Sequence, residues 1–320
     1  MQVSIVIPLL NEEESIKELY HWLVEVLQAS GLSYEIIFID DGSTDGSWEV
    51  IFALSESDTA VKALRFNRNY GKSQALHAGF LEARGDVVIT MDADLQDSPD
   101  EIPELYDLVA GQGYDLVSGW KKKRYDSILA KNLPSKLFNA VARKTSGLKL
   151  HDFNCGLKAY RKAVVKNIDV YGDMHRYIPL LAKNAGFYNI TEKTVQHQAR
   201  KYGQTKFGAD RFIKGFLDLL TIWFVTHFAK RPMHLFGTLG AIMFFIGFLL
   251  TVWLGVDKLF ITPAGRLITE RPQFYLALIS MVIGVQLFIA GFLGEMILRS
   301  RKASPRYLIS ERLGLDTPVS

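Results

Sequence analysis

Cysteine is almost absent from the sequence, whose 320 residues include only Cys155. A single cysteine forms no internal disulfide and offers none of the paired spacings that zinc sites use. We expect Cys155 to be a small buried apolar residue in a domain that faces the reducing cytoplasm.

An excess of one charge sign is also lacking, because 37 Lys and Arg residues face 34 Asp and Glu residues. The net charge of +3 is too small to indicate a nucleic-acid partner, and no basic stripe is interleaved with aromatic residues.

No basic region precedes the apolar segment Val3 to Leu10, and no small-residue cleavage site follows it. We therefore interpret this segment as a buried strand rather than a signal peptide.

Charge is missing altogether from two long apolar runs, Leu235 to Leu254 and Phe274 to Leu293. Each has about the 20 residues that a helix needs to cross a bilayer core. A buried core helix is the alternative, but two such runs close together and flanked by charges favour a membrane. Trp253 and Tyr275 lie near the ends of the runs, where such rings prefer the interface. The sequence predicts a transmembrane hairpin over residues 231–298, with spans at about 235–254 and 274–297.

Basic residues next to the runs indicate the orientation of the hairpin. They are Lys230 and Arg231 before the first run, and Arg299, Arg301, Lys302 and Arg306 after the second. The connecting loop mixes three basic residues with Asp257 and Glu270. This bias predicts a multi-pass protein of the cytoplasmic (inner) membrane, with both termini and a tail of residues 299–320 in the cytoplasm. Residues 211–230 are apolar with polar positions on one side, which predicts an amphipathic helix in the membrane interface or a further core helix.

Residues 1–210 alternate short apolar runs with helical patterns. The predicted strands are Val3–Ile7, Tyr34–Ile39, Val61–Arg65 and Asp86–Met91. Helices are predicted from Asn11 through Leu27, from Ser47, and over Gly71 to Arg84, with Asn11 and Glu14 forming a capping box for the first. The pattern predicts an α/β fold with a doubly wound, mostly parallel sheet.

Acidic residues follow three of these predicted strands, within Pro8 to Glu13, Asp40 to Ser47 and Asp92 to Asp97. Each segment alone is typical of a polar turn. Together they lie at the carboxyl ends of strands, where such sheets bind ligands. A diphosphate fits an acidic cleft only with a divalent cation, so we expect Mg²⁺ or Mn²⁺ on hard oxygen ligands. Asp92 and Asp94 would point to one side if the strand continued, and Gln96 shares their parity.

The segments IVIPLLNEEESI, DDGSTDGS, NYGKSQALHAGF and MDADLQD together resemble glycosyltransferase family 2, which has the nucleotide-diphospho-sugar transferase fold. With two C-terminal spans, the chain most resembles the polyprenyl-phosphate (dolichol- or undecaprenyl-phosphate) glycosyltransferase branch. The resemblance implies a metal-dependent hexosyltransferase of the cell envelope. It also implies inverting transfer of a hexose from a nucleotide diphosphate sugar to a polyprenyl phosphate. UDP-glucose is the first expectation for the donor and GDP-mannose the second, and a homotetramer occurs in the branch.

The resemblance also implies roles for individual residues. Asp94 and Asp152 would be catalytic, and Asp92, Asp94 and Gln96 would hold the metal. Nucleotide-sugar binding would fall to Pro8, Asn11, Glu12, Asp40, Gly42, Ser43, Lys72, Asp92, Arg176, Arg200 and Lys201. The chain departs from the family pattern at Leu9 or Leu10, at Asn154 to Gly156, and at His175, which we expect to be an exposed or hydrogen-bonded histidine.

A basic segment, Lys121 to Lys136, follows the acidic motifs. A solvated charge run is the ordinary interpretation of such a segment. Beside an anionic membrane it suits an acceptor phosphate, and the resemblance assigns that phosphate to Arg124 and Ser135. A lipid phosphate is largely ionised near neutral pH, with a second pKa of about 6, so no strong base is needed.

Three alternatives remain for the function. A processive polysaccharide synthase would carry a Gln-x-x-Arg-Trp signature, which residues Gln196 to Lys201 do not supply. A glycolipid synthase that acts on a neutral lipid hydroxyl would need Asp152 as its base. A non-catalytic membrane scaffold with the same fold would tolerate loss of Asp94.

Overall fold

The computed structural model describes residues 1–122, 143, 147–172, 174–198, 201–202, 232–300, 307 and 309–315, with side chains in the last long helix as far as residue 297. The chain divides into two compact units, Met1–Ile222 with Pro305–Ser320 and Trp223–Ser304. The predicted amphipathic helix of residues 211–230 lies outside the described residues, and the predicted domain boundaries stay predictions.

The first unit contains all the strands that the structure describes. They are β1 (Val3–Leu9), β2 (Tyr34–Asp40), β3 (Val61–Phe66), β4 (Val87–Thr90), β5 (Leu116–Trp120), β6 (Lys158–Arg161), β7 (Ile190–Thr194) and β8 (Ile309–Leu313). Its helices are α1 (Glu13–Ala29), α2 (Ser47–Ser57), α3 (Lys72–Glu82), α4 (Ile102–Ala110), α5 (Lys162–Lys166) and α6 (Ile178–Asn184).

These strands form one sheet in the order β7-β5-β6-β4-β1-β2-β3-β8. The pairs β4–β1, β1–β2 and β2–β3 are parallel, as is β5–β7. Strand β6 is antiparallel to β4 and β5, and β8 is antiparallel to β3. The four predicted strands are therefore the parallel centre of a mixed sheet. The parallel centre brings the carboxyl ends of β1, β2 and β4 to one edge.

The core lies between α1 and the central strands. Every residue of β1 is buried, as expected for a strand covered on both faces. Helix α1 presents Ile16, Leu19, Leu23 and Leu27 at helical spacing, and each has no accessible surface.

The start of α1 differs from the prediction. The helix begins at Glu13, and Asn11 lies before its N-cap residue, Glu12. Asn11 has a left-handed backbone with φ of 57°, which asparagine tolerates better than most residues. Its Oδ1 accepts a hydrogen bond from the Thr44 backbone N at 2.8 Å. The predicted capping box of Asn11 and Glu14 is wrong, because the Asn11 amide joins two loops instead.

The second unit contains two long apolar helices, α7 (Pro232–Val256), which a short π-helical turn extends to Ile261, and α8 (Pro272–Ser300). By length and composition Pro232–Ile261 and Pro272–Ile297 are candidate membrane spans, with mean hydropathies of 2.3 and 2.4. They contain the predicted spans. Glycines bring the helices together, since a Cβ at Gly240 would lie 2.5 Å from the Gly284 carbonyl oxygen. Such small residues are typical of helix contacts in membranes.

Candidate functional site

A cavity of about 300 Å³ opens where β1, β2 and β4 end. Residues from four chain segments line it: Pro8, Leu9, Leu10 and Glu12 at the end of β1, Asp41 after β2, Asn69, Gly71, Lys72 and Ala75 around the start of α3, and Asp92, Ala93 and Asp94 after β4. The acidic segments therefore meet at the edge of the sheet at which they were predicted. Five of the predicted site residues, Pro8, Glu12, Lys72, Asp92 and Asp94, lie on the wall of this cavity.

The turn after β2 supports the cavity from behind. The Asp40 carboxyl is inaccessible, and its Oδ1 accepts from the Ser43 backbone N at 2.8 Å. The Ser43 Oγ accepts from the Asn11 backbone N at 2.9 Å. Gly42 has a φ of 75°, and a Cβ there would lie 2.5 Å from the Arg68 carbonyl carbon. Asp40, Gly42 and Ser43 thus shape the turn, and the cavity wall is formed by their neighbours.

Burial sets the ionisation of this turn. Burial raises the pKa of Asp40. The hydrogen bonds from Ser43 and the positive charge of Arg65 lower this pKa, but by less than burial raises it. Arg65 Nε lies 3.5 Å from Asp40 Oδ2. That oxygen is buried and has no hydrogen-bond partner within the described part of the chain. Arg65 is therefore the cation that faces the buried carboxylate.

Asp41 is a site residue that the sequence analysis missed. Its side chain is buried against the cavity, and it accepts from the backbone N of Tyr70 at 2.7 Å and of Gly71 at 2.9 Å. These bonds fix the loop that leads into α3, where Gly71 has a φ of 96°. The signal available in the sequence was the doubled aspartate after β2, together with a glycine immediately before α3.

Lys72 is the first residue of α3, and its Nζ forms an ion pair with Asp92 Oδ1. Both side chains are about one-third accessible, with 35% of Lys72 and 32% of Asp92 exposed, so the pair opens into the cavity. Burial disfavours the Asp92 carboxylate, but Lys72 and, further off, Lys121 and Lys158 outweigh it and hold the pKa of Asp92 well below its usual range.

Gly156 packs against the back of Asp92. A Cβ at this position would lie 2.6 Å from Asp92 Oδ2 and 2.7 Å from its Cγ. No side chain larger than hydrogen fits there without moving the carboxylate. The chain departs from the family pattern at Asn154 to Gly156, and the contact with Asp92 explains why the last of these residues is glycine.

The predicted metal ligands are arranged around a turn rather than along a strand. Strand β4 ends at Thr90, but Asp92 and Asp94 still both line the cavity. Leu95 follows with a φ of 58°, a rare conformation for a bulky residue, and its side chain is buried. The Gln96 backbone N donates to Asp94 Oδ1 at 3.3 Å, and Gln96 is not part of the described cavity wall.

Two carboxylates suit a divalent cation that completes its shell with phosphate oxygens and water, as Mg²⁺ commonly does. Within the described residues no group of three or more His, Cys, Asp or Glu side chains is placed to hold a metal. The donor set therefore fits an ion that arrives with a diphosphate better than a permanently bound structural ion.

Two further lysines, Lys121 and Lys158, lie near enough to Asp92 to affect its charge. Lys121 Nζ and Asp97 Oδ1 form an ion pair of 2.7 Å, and both side chains are largely buried. Lys158 is 3% exposed, donates to the Cys155 carbonyl oxygen, and has a pKa that burial lowers. Cys155 is buried, as expected. Lys121 is thus held inside the protein rather than presented to solvent.

Asp152, predicted to be catalytic, is 2% exposed. Its Oδ1 accepts from the Asn154 backbone N at 3.0 Å, and its backbone O accepts from Ser118 Oγ at 3.2 Å. Asp152 is not among the residues that line the described cavity wall, and its catalytic role stays a prediction.

His175 and Arg176 lie in a short 3₁₀ helix, Met174–Tyr177. His175 is hydrogen bonded, as expected: Ser73 Oγ lies 3.0 Å from its Nδ1 and accepts from its backbone N at 3.0 Å. Burial, with the nearby positive charges of Lys72 and Arg176, lowers the pKa of His175 to about 3 and keeps the ring neutral.

The remaining predicted residues are dispersed. Lys201 Nζ pairs with Glu18 on α1 at 2.8 Å, and Lys201 is absent from the described cavity wall. Arg124, Ser135 and Arg200 lie outside the described residues. Their proposed contacts with phosphate stay predictions.

Comparison with known proteins gives the family. Residues 4–169 match the sequence profile of Glycosyl transferase family 2. A dodecaprenyl-phosphate galacturonate synthase of Rhizobium johnstonii is 35% identical over 97% of this chain and 93% of its own. An undecaprenyl-phosphate 4-deoxy-4-formamido-L-arabinose transferase of Pseudomonas aeruginosa is 39% identical over 99% of this chain and 91% of its own.

A solved structure agrees in fold. Glucosyl-3-phosphoglycerate synthase from Mycobacterium tuberculosis, crystallised with Mn²⁺ and UDP-glucose, superposes with a TM-score of 0.54 and 20% identity over 70% of this chain and 78% of that one. The fold class, the family resemblance and the prediction of an enzyme are confirmed. This chain belongs to glycosyl transferase family 2, its relatives are polyprenyl-phosphate sugar transferases, and it is a glycosyltransferase.

Proposed function

We propose that the enzyme transfers a sugar from a nucleotide diphosphate sugar to a polyprenyl phosphate, with inversion at the anomeric carbon. The observation that carries the proposal is the cavity at the carboxyl ends of the parallel strands, which Asp92, Asp94 and Lys72 line and in which Lys72 pairs with Asp92. Two relatives that align over nearly the whole chain, named above, act on polyprenyl phosphates.

In the proposed reaction an oxygen of the lipid phosphate attacks the anomeric carbon of the donor sugar. The bond from that carbon to the diphosphate oxygen breaks, and the nucleoside diphosphate leaves with the electron pair. The attacking phosphate is already ionised, so the protein must position two anions and stabilise the leaving charge.

The described residues suit this task. Asp92 and Asp94 would hold Mg²⁺ or Mn²⁺, and a bound ion supplies positive charge to the departing diphosphate. Lys72 adds a second cation at the start of α3, where the helix N-terminus also favours a phosphate. Asn11, Asp40 and Ser43 would fix the turn against which the nucleoside rests.

The donor is proposed as a uridine diphosphate sugar. UDP-glucose is the expectation from the family resemblance, and the solved synthase with this fold was crystallised with it. The names of the relatives add galacturonate and 4-deoxy-4-formamido-L-arabinose to the sugars to be tested. GDP-mannose stays the alternative donor.

The acceptor side of the proposal rests on the candidate spans and on the basic segment. We propose that α7 and α8 cross the cytoplasmic membrane, that both termini lie in the cytoplasm, and that Arg124 and Ser135 hold the lipid phosphate. The membership of β8 in the same sheet as β1 supports termini on one side. We also propose that the protein forms a homotetramer, as the family resemblance implies.

A neutral lipid hydroxyl is a weaker acceptor candidate. Its reaction would need Asp152 as a base, but that carboxylate is 2% exposed and already accepts from the Asn154 backbone N. The geometry therefore favours an acceptor that brings its own negative charge.

The test incubates the purified full-length protein with Mg²⁺, undecaprenyl phosphate and a panel of UDP and GDP sugars, and identifies the lipid product by mass. We expect one monoglycosylated polyprenyl phosphate. Diacylglycerol in a parallel reaction would yield product only if the hydroxyl alternative held, and a polymer would indicate a processive synthase.

Asp94→Asn is the matched variant for the metal, and we expect a loss of about 100-fold or more in turnover because an oxygen ligand beside the diphosphate is weakened. Asp86 is exposed and immediately precedes β4, so Asp86→Asn is the control and should retain wild-type turnover. Full activity of Asp94→Asn would contradict the metal-dependent mechanism. Full activity of the wild type in excess chelator would contradict it as well.

A further inference from the structure

Strand β8 is the edge strand of the sheet next to β3. It pairs antiparallel with β3, with Arg65 directly opposite Glu311. The Ser310 Oγ donates to the Arg65 backbone O at 3.0 Å. In the sequence this strand comes after both candidate spans, so residues distant from the acidic motifs reach the strand that lies next to β2.

The Glu311 carboxylate contacts Trp48 of α2 and Arg65 of β3. Its Oε2 accepts from Trp48 Nε1 at 2.9 Å, and its Oε1 accepts from Arg65 NH1 at 3.3 Å. The Arg65 guanidinium also lies 5.6 Å from the centre of the Trp48 ring. One carboxylate thereby fixes the Arg65 side chain from the outer side of the sheet.

The other side of Arg65 faces the turn from Asp40 to Ser43, which we call the donor turn. Its Nε lies 3.5 Å from the buried Asp40 Oδ2, and its NH2 donates to the Ser43 backbone O at 3.5 Å. Ser43 in turn receives the hydrogen bond of Asn11 described above. A continuous set of polar contacts therefore runs from Glu311 through Arg65 to the turn behind the cavity.

A long arginine side chain has many rotamers, and holding it in one of them has an entropic cost that a second anion offsets. Without Glu311, the guanidinium would keep its long contacts to Asp40 and Ser43 and its contact with the Trp48 ring, but among the described residues it would lose the hydrogen bond that holds NH1. Its side chain is 26% exposed, so solvent is open to it. The buried Asp40 carboxylate would then lose the cation that faces it for part of the time.

We infer that Glu311 is a positioning residue for donor binding: through Arg65 it holds the turn from Asp40 to Ser43 in the shape that receives the nucleotide. The inference rests on the proposed function in one respect, namely that this turn belongs to the donor site. It assigns the tail a role in the reaction beyond covering the β3 edge of the sheet.

A second tail contact provides the control. Arg312 NH1 pairs with Glu82 Oε1 at 2.7 Å, and the Arg312 side chain is about as exposed as that of Arg65. The pair includes neither Arg65 nor a residue of the donor turn. If the tail only covers the sheet edge, loss of either ion pair should have the same consequence.

The experiment measures binding of UDP, with excess Mg²⁺, to the full-length protein in detergent by calorimetry, with GDP in parallel. We expect Glu311→Ala to weaken UDP binding about threefold to fivefold, the range that a partly exposed ion pair supports. Arg312→Ala should bind UDP as the wild type does. Thermal unfolding of both variants shows whether each remains folded.

Turnover gives a readout that a purely structural role would not change. Glu311→Ala should raise the KM for the sugar nucleotide and leave kcat and the KM for undecaprenyl phosphate near wild-type values. In an Arg65→Ala background the Glu311 substitution should have no further effect on UDP binding, because the contacts are in series.

Equal UDP affinity of the wild type and Glu311→Ala, or an equal loss in Arg312→Ala, would overturn the inference while leaving the donor site in place. A wild-type protein that binds neither UDP nor GDP with Mg²⁺ would instead overturn the proposed donor site, and the inference with it.

Discussion

Lys72 at the first turn of α3 is paired with Asp92 just beyond β4, across the cavity that the acidic motifs form. The pair places a cation next to the carboxylate that is predicted to bind the metal. Lys72 thus neutralises part of the negative charge of the cavity and keeps Asp92 ionised. Both effects suit the proposed ligand, a nucleotide diphosphate sugar with a divalent ion.

Lys72→Met should change the pH dependence of turnover. Burial disfavours the Asp92 carboxylate and Lys72 is the main group that favours it, so the pKa of Asp92 should rise when the ammonium is removed. Since the folded pKa is depressed in the wild type, activity that needs the carboxylate persists to low pH and is lost as the pH falls through that pKa. We expect the acid limb of kcat/KM to move upward by about one pH unit or more, with kcat reduced about 10- to 100-fold.

Lys17→Met, on the exposed face of α1, is the control for the loss of a lysine charge. Its acid limb should coincide with that of the wild type. An acid limb that stays in place in Lys72→Met would show that the pair does not govern the ionisation of Asp92.

Gly156→Ala should reduce both stability and donor binding. The new Cβ would lie 2.6 Å from Asp92 Oδ2, so the carboxylate or the backbone must move. Overpacking of this kind costs about 1–3 kcal/mol. We expect a lower unfolding midpoint and weaker Mg²⁺-dependent binding of UDP. Gly255→Ala is the control, because nothing lies within 4 Å of a Cβ there. Wild-type affinity of Gly156→Ala would show that the Asp92 position is not critical.

The parallel centre of the sheet and the edge that bears the site were predictable from the sequence. Buried parallel strands are nearly continuous apolar runs, and acidic residues follow three of them directly. The added strands were not predictable in the same way. Lys158–Arg161 and Ile190–Thr194 are short and polar, and their pairing depends on partners distant in the sequence.

The site was predicted in outline but not in its supporting contacts. Asp94 and Lys72 line the cavity, because their position depends on the strand ends and on a helix start, and their roles stay predictions. The burial of Asp152 and the use of Asn11 to join two loops depend on tertiary contacts that no local pattern specifies. The same is true of Glu311, which is far in sequence from Arg65.

Glu35→Gln should destabilise the fold and remove part of its acid sensitivity. Glu35 is inaccessible and accepts from Lys62 Nζ and from Ser4 Oγ, each at 2.5 Å. Burial raises its pKa, but these bonds and that from the Arg84 backbone N outweigh it, so the pKa of Glu35 is lowered. Removing one partner of a buried pair costs about 3–5 kcal/mol.

The sign of the pH effect follows from the lowered pKa. The contribution of Glu35 is fully present above the pKa of an unfolded glutamate, about 4.3, and is lost as the pH falls through the lower folded value. Denaturant unfolding of the wild type should therefore show stability that declines below about pH 4, and Glu35→Gln should show a shallower decline. Glu25→Gln, exposed on α1, should follow the wild-type curve.

Gly240→Val should separate α7 from α8. A Cβ at Gly240 would lie 2.5 Å from the Gly284 carbonyl oxygen and 2.8 Å from the Phe288 backbone N, and both are backbone atoms that rotamer changes cannot move. We expect a destabilisation of about 1–3 kcal/mol, measured as a lower thermal midpoint of the full-length protein in detergent. Leu239→Val alters the neighbouring position, which is 46% exposed, and should leave the midpoint nearly unchanged. Equal midpoints for the two variants would contradict a glycine-dependent helix contact, since only the Gly240 substitution places new atoms between the helices.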